Sequence, residues 1–350
     1  MGRVLGQQGS QLGDGGLVVT LAEVEHGIVV SFLGRRHKDN GFDNRRYDRI
    51  VVSAQALLGA RSPGWQVARR SAHRERLRST VHTRQRMPLP IQLVSTDFDG
   101  TLHAEFENPP VPQDLQLLIG GLQEQGAKWV INTGRDLPSV MEGLARARLS
   151  VRPDFLVVVE REIYLHEGAQ YLACVEWNRG CKTAHEELFA TLRRDVPRLA
   201  DWVSRRFRAT LYEDDFSPFC LIAESNEDAD RIQIFLEEYC VNVPNLTLVR
   251  NDVYARFSHS AYNKGTALAE VARQLGISSQ HVFAAGDHLN DLPMLCGRFA
   301  RCLVAPGNAV PLVKEAVRRQ NGYVSHQPWG HGVARGLEYF PEQGAAEGGG

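Results

Sequence analysis

The stretch IQLVSTDFDGTL, residues 91–102, decides how this chain folds. Its first residues are mostly apolar and predict a buried strand, and two carboxylates, Asp97 and Asp99, follow where that strand ends. Carboxylates in such a place are costly unless a cation lies against them. A divalent metal ion together with a phosphate ester would supply that balance. The alternative is a strand that ends in an ordinary polar turn, since Asp and Gly are common there.

Three later segments place further polar groups at the end of a strand or the start of a helix: INTGR at 131–135, NKGTAL at 263–268 and VFAAGDHLND at 282–291. A hydroxyl, an ammonium and a second acidic cluster therefore follow the first acidic pair in that order. The four segments resemble the four motifs of the haloacid dehalogenase-like hydrolase superfamily. More narrowly, residues 91–340 are similar to the Cof-type and sucrose-phosphatase-like phosphatases.

Apolar runs alternate with helical patterns through most of the chain, which predicts an α/β fold with a Rossmann-like parallel-sheet core. In such open sheets the site lies beyond the carboxyl ends of the strands, which would bring Asp97, Thr133 and Asp287 together. About 130 residues separate Thr133 from Lys264, far more than one crossover needs. The excess predicts an inserted α/β cap domain. The expected domains are a core at 91–162 and 258–340 and a cap at 163–257.

Within the cap, the sequence pattern predicts two helices and three strands. The expected elements are a helix around 181–205, a strand at 219–223, a helix at 226–240, and strands near 246–249 and 254–257. A cap of this kind excludes water and contributes substrate contacts, so specificity is expected to reside there.

The first 90 residues differ from the rest, because they carry 15 Lys and Arg against 7 Asp and Glu and show no strand–helix alternation. We predict a basic, disordered N-terminal extension, with strands only around Leu17–Leu33. One alternative is translation upstream of the true start, since Met87 directly precedes the first core strand. A basic arm that binds nucleic acid is the less favoured alternative. Residues 341–350 are predicted to form a disordered tail.

Composition limits the class of protein further. The net charge is −1 and 43% of residues are hydrophobic, so nothing points to a nucleic-acid or membrane partner. No uninterrupted apolar run approaches 20 residues. The six cysteines form no close C-x-x-C pair, which argues against a zinc site or a disulfide framework. We expect a soluble cytoplasmic protein with reduced thiols, and the sequence leaves its oligomeric state open.

The resemblance implies a role for each motif residue. Asp97 is the expected nucleophile, which forms an aspartyl-phosphate. Asp99 is the expected general acid and base, and plain metal ligation through its backbone carbonyl is the alternative. Thr133 is expected to hydrogen-bond a phosphoryl oxygen, and Lys264 to stabilise developing charge. On the local sequence alone, Thr133 serves equally well as a helix N-cap, and Lys264 would be an exposed surface residue.

The same resemblance implies a Mg²⁺ site built from oxygen ligands. Its expected members are Asp97, Asp99, Asp287 and Asp291. Asp291 either coordinates through water or orients Lys264.

Substrate contacts are expected near the motifs and in the cap. The expected substrate-binding residues are Gly134, Arg135, Asn290 and Asn308. The cap candidates for a sugar or anion contact are Trp177, Arg179, Lys182, His185 and Tyr212, with ordinary packing or solvation as the alternative for each. Many relatives carry a substrate-contacting Asn-Gly pair after the third core strand. This chain has Glu160-Arg161-Glu162 there, which leaves the substrate class open.

The leading hypothesis is a Mg²⁺-dependent phosphatase that hydrolyses a small phosphorylated metabolite, expected to be a sugar phosphate. A phosphomannomutase-like phosphosugar mutase is one alternative, because it uses the same motifs and cap position. A non-catalytic binding protein is the other, although every expected catalytic residue type is present.

Overall fold

The computed structural model describes residues 18–24, 27–33 and 91–347. The chain divides into two compact units, residues 1–87 and 88–350. In the first unit, strands β1 (Val18–Val24) and β2 (Gly27–Leu33) pair antiparallel as a hairpin, which matches the strands predicted there. The predicted disorder over the rest of residues 1–90, and the question of Met87, lie outside the described residues.

The second unit contains twelve further strands. They are β3 (Leu93–Thr96), β4 (Lys128–Asn132), β5 (Phe155–Val158), β6 (Glu162–Glu167), β7 (Gln170–Ala173), β8 (Ala209–Asp214), β9 (Ser217–Ala223), β10 (Leu246–Asn251), β11 (Tyr254–His259), β12 (Val282–Ala285), β13 (Cys302–Ala305) and β14 (Tyr323–Val324).

Eight described α-helices connect or cover these strands. They are α1 (Gln113–Glu124), α2 (Leu137–Ala147), α3 (Val175–Leu192), α4 (Val196–Ser204), α5 (Asn226–Val241), α6 (Lys264–Leu275), α7 (Pro311–Arg319) and α8 (Trp329–Glu347).

The core is an eight-stranded sheet in the order β14-β13-β12-β3-β4-β5-β6-β7. The first six strands in this order are parallel, and β6 and β7 add an antiparallel hairpin at one edge. This arrangement confirms the predicted α/β fold with a Rossmann-like core. The parallel strands end at a common edge, where the motif residues lie.

Both faces of the core sheet are covered, which explains why its central strands are apolar throughout. On β12, Phe283 packs with helices α1, α2 and α8, whereas its neighbour Val282 packs on the opposite face with α6 and α7. Successive side chains of a strand point to opposite faces, so both must be apolar here. The sheet is therefore fixed from both sides, and its carboxyl edge provides a rigid support for a site.

The cap is a separate antiparallel sheet in the order β10-β11-β9-β8, with α3, α4 and α5 packed around its own apolar cluster. The single helix predicted around 181–205 was wrong. The structure has two helices there, because Pro197 lies in the first turn of α4 and cannot continue the hydrogen bonding of α3. Proline is well suited to a first helical turn, so α4 begins where α3 has ended.

The domain boundaries also differ from the predicted ones. The cap was expected to begin at residue 163, but β6 and β7 extend the core sheet by pairing with the edge of β5. The cap therefore comprises α3 through β11, and its last strand continues to His259 instead of ending at residue 257. The last helix, α8, is described as far as Glu347, so residue 341, where the predicted tail starts, falls within it. Residues 348–350 lie outside the described residues.

The remaining expectations concern membranes and thiols. In the part of the chain that the structure describes, no helix combines the length and the apolar character needed to cross a bilayer. All six cysteines are free thiols, and four of them are buried.

Candidate functional site

The carboxyl edge of the core sheet gathers side chains from all four sequence motifs. Asp97 follows β3, and its backbone N–H donates to the carbonyl of Ala285 at the end of β12 (2.9 Å). Thr133 follows β4, and its N–H donates to Val157 of β5 (2.8 Å). These hydrogen bonds continue the sheet by one residue on each strand. They place the motif residues next to one another, as the sequence predicted.

Lys264 is the centre of this cluster. Its side chain is fully buried, and its Nζ donates to Asp97 Oδ1 and to Asp291 Oδ1, both at 2.6 Å. Asn263 caps α6, and the Asn132 side chain donates to the carbonyl of Lys264 (2.9 Å). Burial alone would lower the pKa of Lys264, but Asp291 and Asp97 together raise it above its usual value. The ammonium is therefore a permanent charge.

Three carboxylates surround this single ammonium. Ligand oxygens of Asp97, Asp287 and Asp291 all lie within 4.8 Å of one another. Burial, and then the neighbouring carboxylates, raise the pKa of Asp97 well above its usual range and that of Asp287 to about 7. Three carboxylates share one ammonium, so their full negative charge is unfavourable here without a further cation. An all-oxygen donor set with unbalanced negative charge fits a Mg²⁺ ion.

The three carboxylates do not have equal freedom to bind a metal. Asp291 Oδ2 accepts from the backbone N–H groups of Asp287 (2.8 Å) and His288 (3.0 Å), and its other oxygen accepts from Lys264. Asp287 accepts one hydrogen bond, from the Thr101 hydroxyl (2.7 Å). Asp291 is thus occupied as an orienting group, whereas Asp97 and Asp287 keep free lone pairs.

Gly100 allows Asp287 to approach the first motif. Its φ is +76°, and a Cβ added there would lie 2.5 Å from Asp287 Oδ2. We expect Gly100→Ala to weaken Mg²⁺ binding about tenfold or more, because Asp287 must move and 1.4 kcal/mol of lost binding already corresponds to a factor of ten. The measurement is a calorimetric titration of each protein with Mg²⁺.

Gly168→Ala is the matched control for that variant. Gly168 has a similar φ of +61°, in the β6–β7 turn, but an added Cβ there would contact nothing within 4 Å. Both variants carry the same backbone penalty, so only Gly100→Ala should change the Mg²⁺ affinity. An equal change in both would contradict the role of Gly100.

The carboxylate of Asp99 is not part of the metal cluster. It forms a two-pronged ion pair with Arg135, Nε to Oδ2 at 2.6 Å and Nη2 to Oδ1 at 2.7 Å. Partial burial would raise the pKa of Asp99, but hydrogen bonds from His103 and Arg135 outweigh it and lower that pKa. Asp99 is therefore ionised at neutral pH. Arg135, expected to bind substrate, is occupied by Asp99 here.

Asn308 joins loops of the core. Its Nδ2 donates to the carbonyl of Gly100 (2.7 Å), and its Oδ1 accepts from the backbone N–H of Trp329 (2.7 Å). Both ends of the amide are used within the protein. Asn308 thus lies beside the first motif, as expected, with its amide holding the backbone of that loop.

Glu160 occupies a position in the site that the sequence had not assigned to any role. Its carboxylate accepts from Asn290 Nδ2 (2.9 Å) and lies 3.3 Å from the place of a Cβ added to Gly134. Val159 and Glu160 both have left-handed backbone conformations, with φ of 44° and 68°. Such strain in two non-glycine residues is costly and clusters at functional sites. It turns the Glu160 carboxylate towards the second and fourth motifs.

Arg256 of the cap reaches the same carboxylate. Its Nη2 lies 3.4 Å from Glu160 Oε2, and both side chains are buried. Sequence reasoning missed both residues. The available signal was an arginine inside the apolar strand at Tyr254–Phe257, together with the charged triplet at 160–162 directly after a buried strand.

The five cap candidates separate into buried and exposed groups. Trp177 donates to the carbonyl of Arg161 (2.7 Å) and thereby joins the cap to the core. Lys182 is exposed and lies 3.8 Å from Glu186. Arg179 and Tyr212 are also exposed. The structure therefore brings none of these four against the motif residues.

His185, the fifth candidate, is buried inside the cap. Its Nδ1 donates to the carbonyl of Cys181 (2.8 Å), and its Nε2 accepts from the backbone N–H of His259 (3.1 Å). Burial, and then the nearby Arg161, lower its pKa from 6.5 to about 3. Both ring nitrogens are used, so the ring is neutral and structural.

The depressed pKa of His185 predicts acid sensitivity. The unfolded chain takes up this proton below pH 6.5 and the folded protein does not, so stability is lost as the pH falls from 6.5 towards 3. Between pH 7.5 and 5 the loss should be about 2 kcal/mol, at 1.36 kcal/mol per pH unit. Urea unfolding at both pH values should show this loss in the wild type but not in His185→Asn. Replacement of the exposed His326 by Asn should leave the wild-type loss intact, and an identical pH dependence in His185→Asn would contradict the assignment.

Comparison with known proteins agrees with this geometry. A family profile described as haloacid dehalogenase-like hydrolase matches residues 203–337. The 5-amino-6-(5-phospho-D-ribitylamino)uracil phosphatase YcsE of Bacillus subtilis is 25% identical over 270 residues, covering 73% of this chain and 98% of that protein. The phosphoglycolate phosphatase of Methanothrix thermoacetophila is 27% identical over 142 residues, covering 41% of this chain and 60% of that protein.

Solved structures share the fold. The sucrose-phosphatase of Synechocystis sp. PCC6803, solved with sucrose and phosphate, has a TM-score of 0.55 at 18% identity and covers 72% of this chain and 98% of its own. A haloacid dehalogenase-like hydrolase from B. subtilis has a TM-score of 0.50 at 19% identity, covering 71% of this chain and 100% of its own. At such low identity these similarities establish the fold alone.

Proposed function

We propose that this chain, which is similar to haloacid dehalogenase-like hydrolases, is a Mg²⁺-dependent phosphatase that cleaves a small phosphorylated metabolite through an aspartyl-phosphate. The observation that carries the proposal is the buried Lys264 ammonium between Asp97 and Asp291, with Asp287 beside them. Such a cluster holds one carboxylate oxygen in place against a dianionic phosphate. Phosphoryl transfer needs chiefly this positioning and charge neutralisation.

In the first step, Asp97 is proposed to attack the phosphorus atom while the ester oxygen leaves. Asp99 gives that oxygen its proton, so that an alcohol departs and an aspartyl-phosphate remains. In the second step, water attacks the phosphorus, Asp99 takes its proton, and Asp97 is released as a carboxylate. Inorganic phosphate is the product. Over the two steps Asp99 gives one proton to the alcohol and gains one from water, so it ends the cycle protonated as it began.

The Arg135–Asp99 ion pair affects the protonation state of Asp99 in this cycle. With a lowered pKa, Asp99 is suited to accept a proton from water and poorly suited to donate one. The first step therefore requires Asp99 to leave Arg135 or to gain its proton as substrate binds. Thr133 and backbone N–H groups of the loops are the proposed donors to the phosphoryl oxygens.

The Mg²⁺ ligands would be the carboxylates of Asp97 and Asp287 and the backbone carbonyl of Asp99, with Asp291 acting through water or on Lys264. When bound, the ion neutralises charge on the phosphoryl oxygens and on the carboxylate cluster. The excess of negative charge around Lys264 supports this assignment.

We propose a sugar phosphate as the substrate class and the cytoplasm as the location. Support for the substrate comes from a relative whose name specifies a phosphoribityl compound, and from the fold shared with a sucrose-phosphatase. Support for the location comes from the six free thiols, which suit a reducing compartment.

The test is phosphate release by the full chain from a panel of phosphorylated metabolites, with Mg²⁺ and with a chelator in its place. Release that requires Mg²⁺ supports the proposal. Little free phosphate, with isomerisation that depends on a bisphosphorylated activator, would indicate a mutase instead. No release and no isomerisation, with metabolite binding intact, would indicate a binding protein.

A further inference from the structure

Two arginines are buried together where the cap meets the core. Arg161, in the loop after β5, is 4% exposed, and Arg256, on β11, is 3% exposed. Arg161 donates to the carbonyl of Phe216 (2.8 Å) and to the hydroxyl of Ser258 (3.3 Å), both in the cap. Arg256 makes the long contact to Glu160, and within the described residues its Nε has no hydrogen-bond partner.

The buried charges of this group do not balance. Among the described residues, Arg161 donates to neutral oxygens, and the buried carboxylate of Glu160 pairs with Arg256. Two further carboxylates act on these arginines, but Glu162 is only half-buried and Asp214 is exposed. The Glu160 carboxylate is also held by Asn290. Burial, and then the charge of Arg256, lower the pKa of Arg161, which shows that the two cations oppose one another. A buried charge without its own counter-charge is strongly unfavourable.

A third buried arginine shows how this chain satisfies a structural one. Arg250, on β10, is 7% exposed and pairs with Asp230. It also donates to side-chain oxygens of Gln233 (2.8 Å) and Asn226 (3.0 Å) and to the carbonyl of Asp252 (2.8 Å). Arg250 therefore has a carboxylate of its own and partners along the whole guanidinium. Compared with Arg250, which has a carboxylate of its own, Arg161 and Arg256 together have one buried anionic partner too few.

We propose that Arg161 and Arg256 form a subsite for a second anionic group of the substrate. The substrate is then a phosphate monoester that also carries a carboxylate or a second phosphate, groups whose geometry matches a guanidinium. This inference rests on the proposed phosphatase function and narrows its substrate class. With such a substrate bound, two cations face two anions, the second being Glu160.

The position of Glu160 connects the subsite to the catalytic cluster. Its carboxylate faces Gly134 and Asn290, in the second and fourth motifs, on one side and Arg256 of the cap on the other. The transferred phosphate would lie on the core side of Glu160, and the second anion on its cap side. The cap would thus select its substrate by charge on this side of Glu160.

Three phosphate monoesters with the same two-carbon skeleton test the subsite. They are 2-phosphoglycolate, with a carboxylate, 1,2-ethanediol bisphosphate, with a second phosphate, and 2-hydroxyethyl phosphate, with a neutral hydroxyl. For the full chain with Mg²⁺, kcat/KM should be about 10- to 100-fold higher for at least one doubly anionic compound, as expected for charged hydrogen bonds. The better of the two identifies the second anion.

Equal kcat/KM for all three compounds would overturn the subsite and leave the phosphatase activity established. If none is turned over, the phosphatase proposal fails for this class of compound. The subsite is then judged by calorimetric binding of the same compounds to Asp97→Asn with Mg²⁺. Equal affinities there would overturn it as well.

Variants separate substrate recognition from a structural role. In Arg161→Met and Arg256→Met, the ratio of kcat/KM between the preferred and the neutral compound should fall towards one, and the corresponding Lys variants should retain part of it. Arg250→Met is the matched control, which should lower the unfolding temperature and keep the ratio. A wild-type ratio in a folded Arg161→Met protein would show that Arg161 only tethers the cap.

Discussion

Asp97→Asn is expected to reduce phosphate release by roughly 10⁴-fold or more, the scale seen when a nucleophile is removed from an enzyme. An amide keeps the shape of the side chain but is not a nucleophile towards phosphorus. The protein should stay folded, because Lys264 keeps its 2.6 Å contact with Asp291. Burial and then repulsion from Asp291 and Asp287 raise the pKa of Asp97, and removing this carboxylate relieves both. The measurements are steady-state phosphate release and thermal unfolding of the same preparations.

Asp154→Asn is the matched control for the nucleophile. Asp154 also accepts a hydrogen bond from a lysine, Lys128 (2.7 Å), but at the opposite edge of the same sheet. Asp154 also accepts a hydrogen bond from the backbone N–H of Trp129 (3.0 Å). Its replacement should therefore lower stability without changing turnover. Wild-type activity in a folded Asp97→Asn protein would remove the nucleophile assignment and the mechanism with it.

Lys264→Met is expected to cost both activity and stability. The Met side chain fills a similar volume but leaves Asp97 and Asp291 facing one another without a cation. Breaking a buried ion pair by removing one partner typically costs about 3–5 kcal/mol of unfolding free energy. Turnover should fall about 10²- to 10³-fold, as when one preorganised donor to a transition state is lost. Denaturant unfolding and phosphate release measure the two effects.

The pH dependence of this variant gives a sharper check. Without the ammonium, the carboxylates gain protons more readily, so the loss of stability should be smaller at pH 6 than at pH 8. Lys128→Met is the control, because its ammonium is 43% exposed and its ion pair should contribute about 1 kcal/mol or less. An equal loss in both lysine variants would mean that Lys264 is not the charge centre of the site.

The local sequence accounts for much of the fold. Helix α2 runs over Leu137–Ala147, because Asp136 caps its start and a proline occupies its first turn. Helix α6 starts at Lys264 and ends before Gly276, whose left-handed conformation terminates it. Caps, prolines, glycines and apolar periodicity act within a few residues, so one segment of sequence suffices to place such an element.

The edge of the core sheet was less accessible to this reasoning. The hairpin of β6 and β7 lies where the pattern had suggested the start of the cap. From Tyr164 onward β6 alternates half-buried and exposed positions, and β7 is mostly exposed, which is typical of a half-covered antiparallel hairpin. Whether such a hairpin joins one sheet or another depends on the free edge available to it. The free edge is that of β5, and nothing in the sequence of the hairpin indicates that the hairpin pairs with β5.

The candidate site likewise combines features that the sequence predicts with features that only the structure shows. The sequence by itself determined that Asp97, Thr133 and Asp287 would meet, because strand ends of a parallel sheet share one edge, whereas Lys264, at the start of a helix, was expected there only from the resemblance of its motif. Only the tertiary structure decided that Glu160 enters this site and that Arg256, 96 positions later, approaches it from the cap. Contacts across so long a separation depend on how two domains close on one another. The sequence shows that these residues are charged, but only the packed interface between cap and core brings them together as a pair.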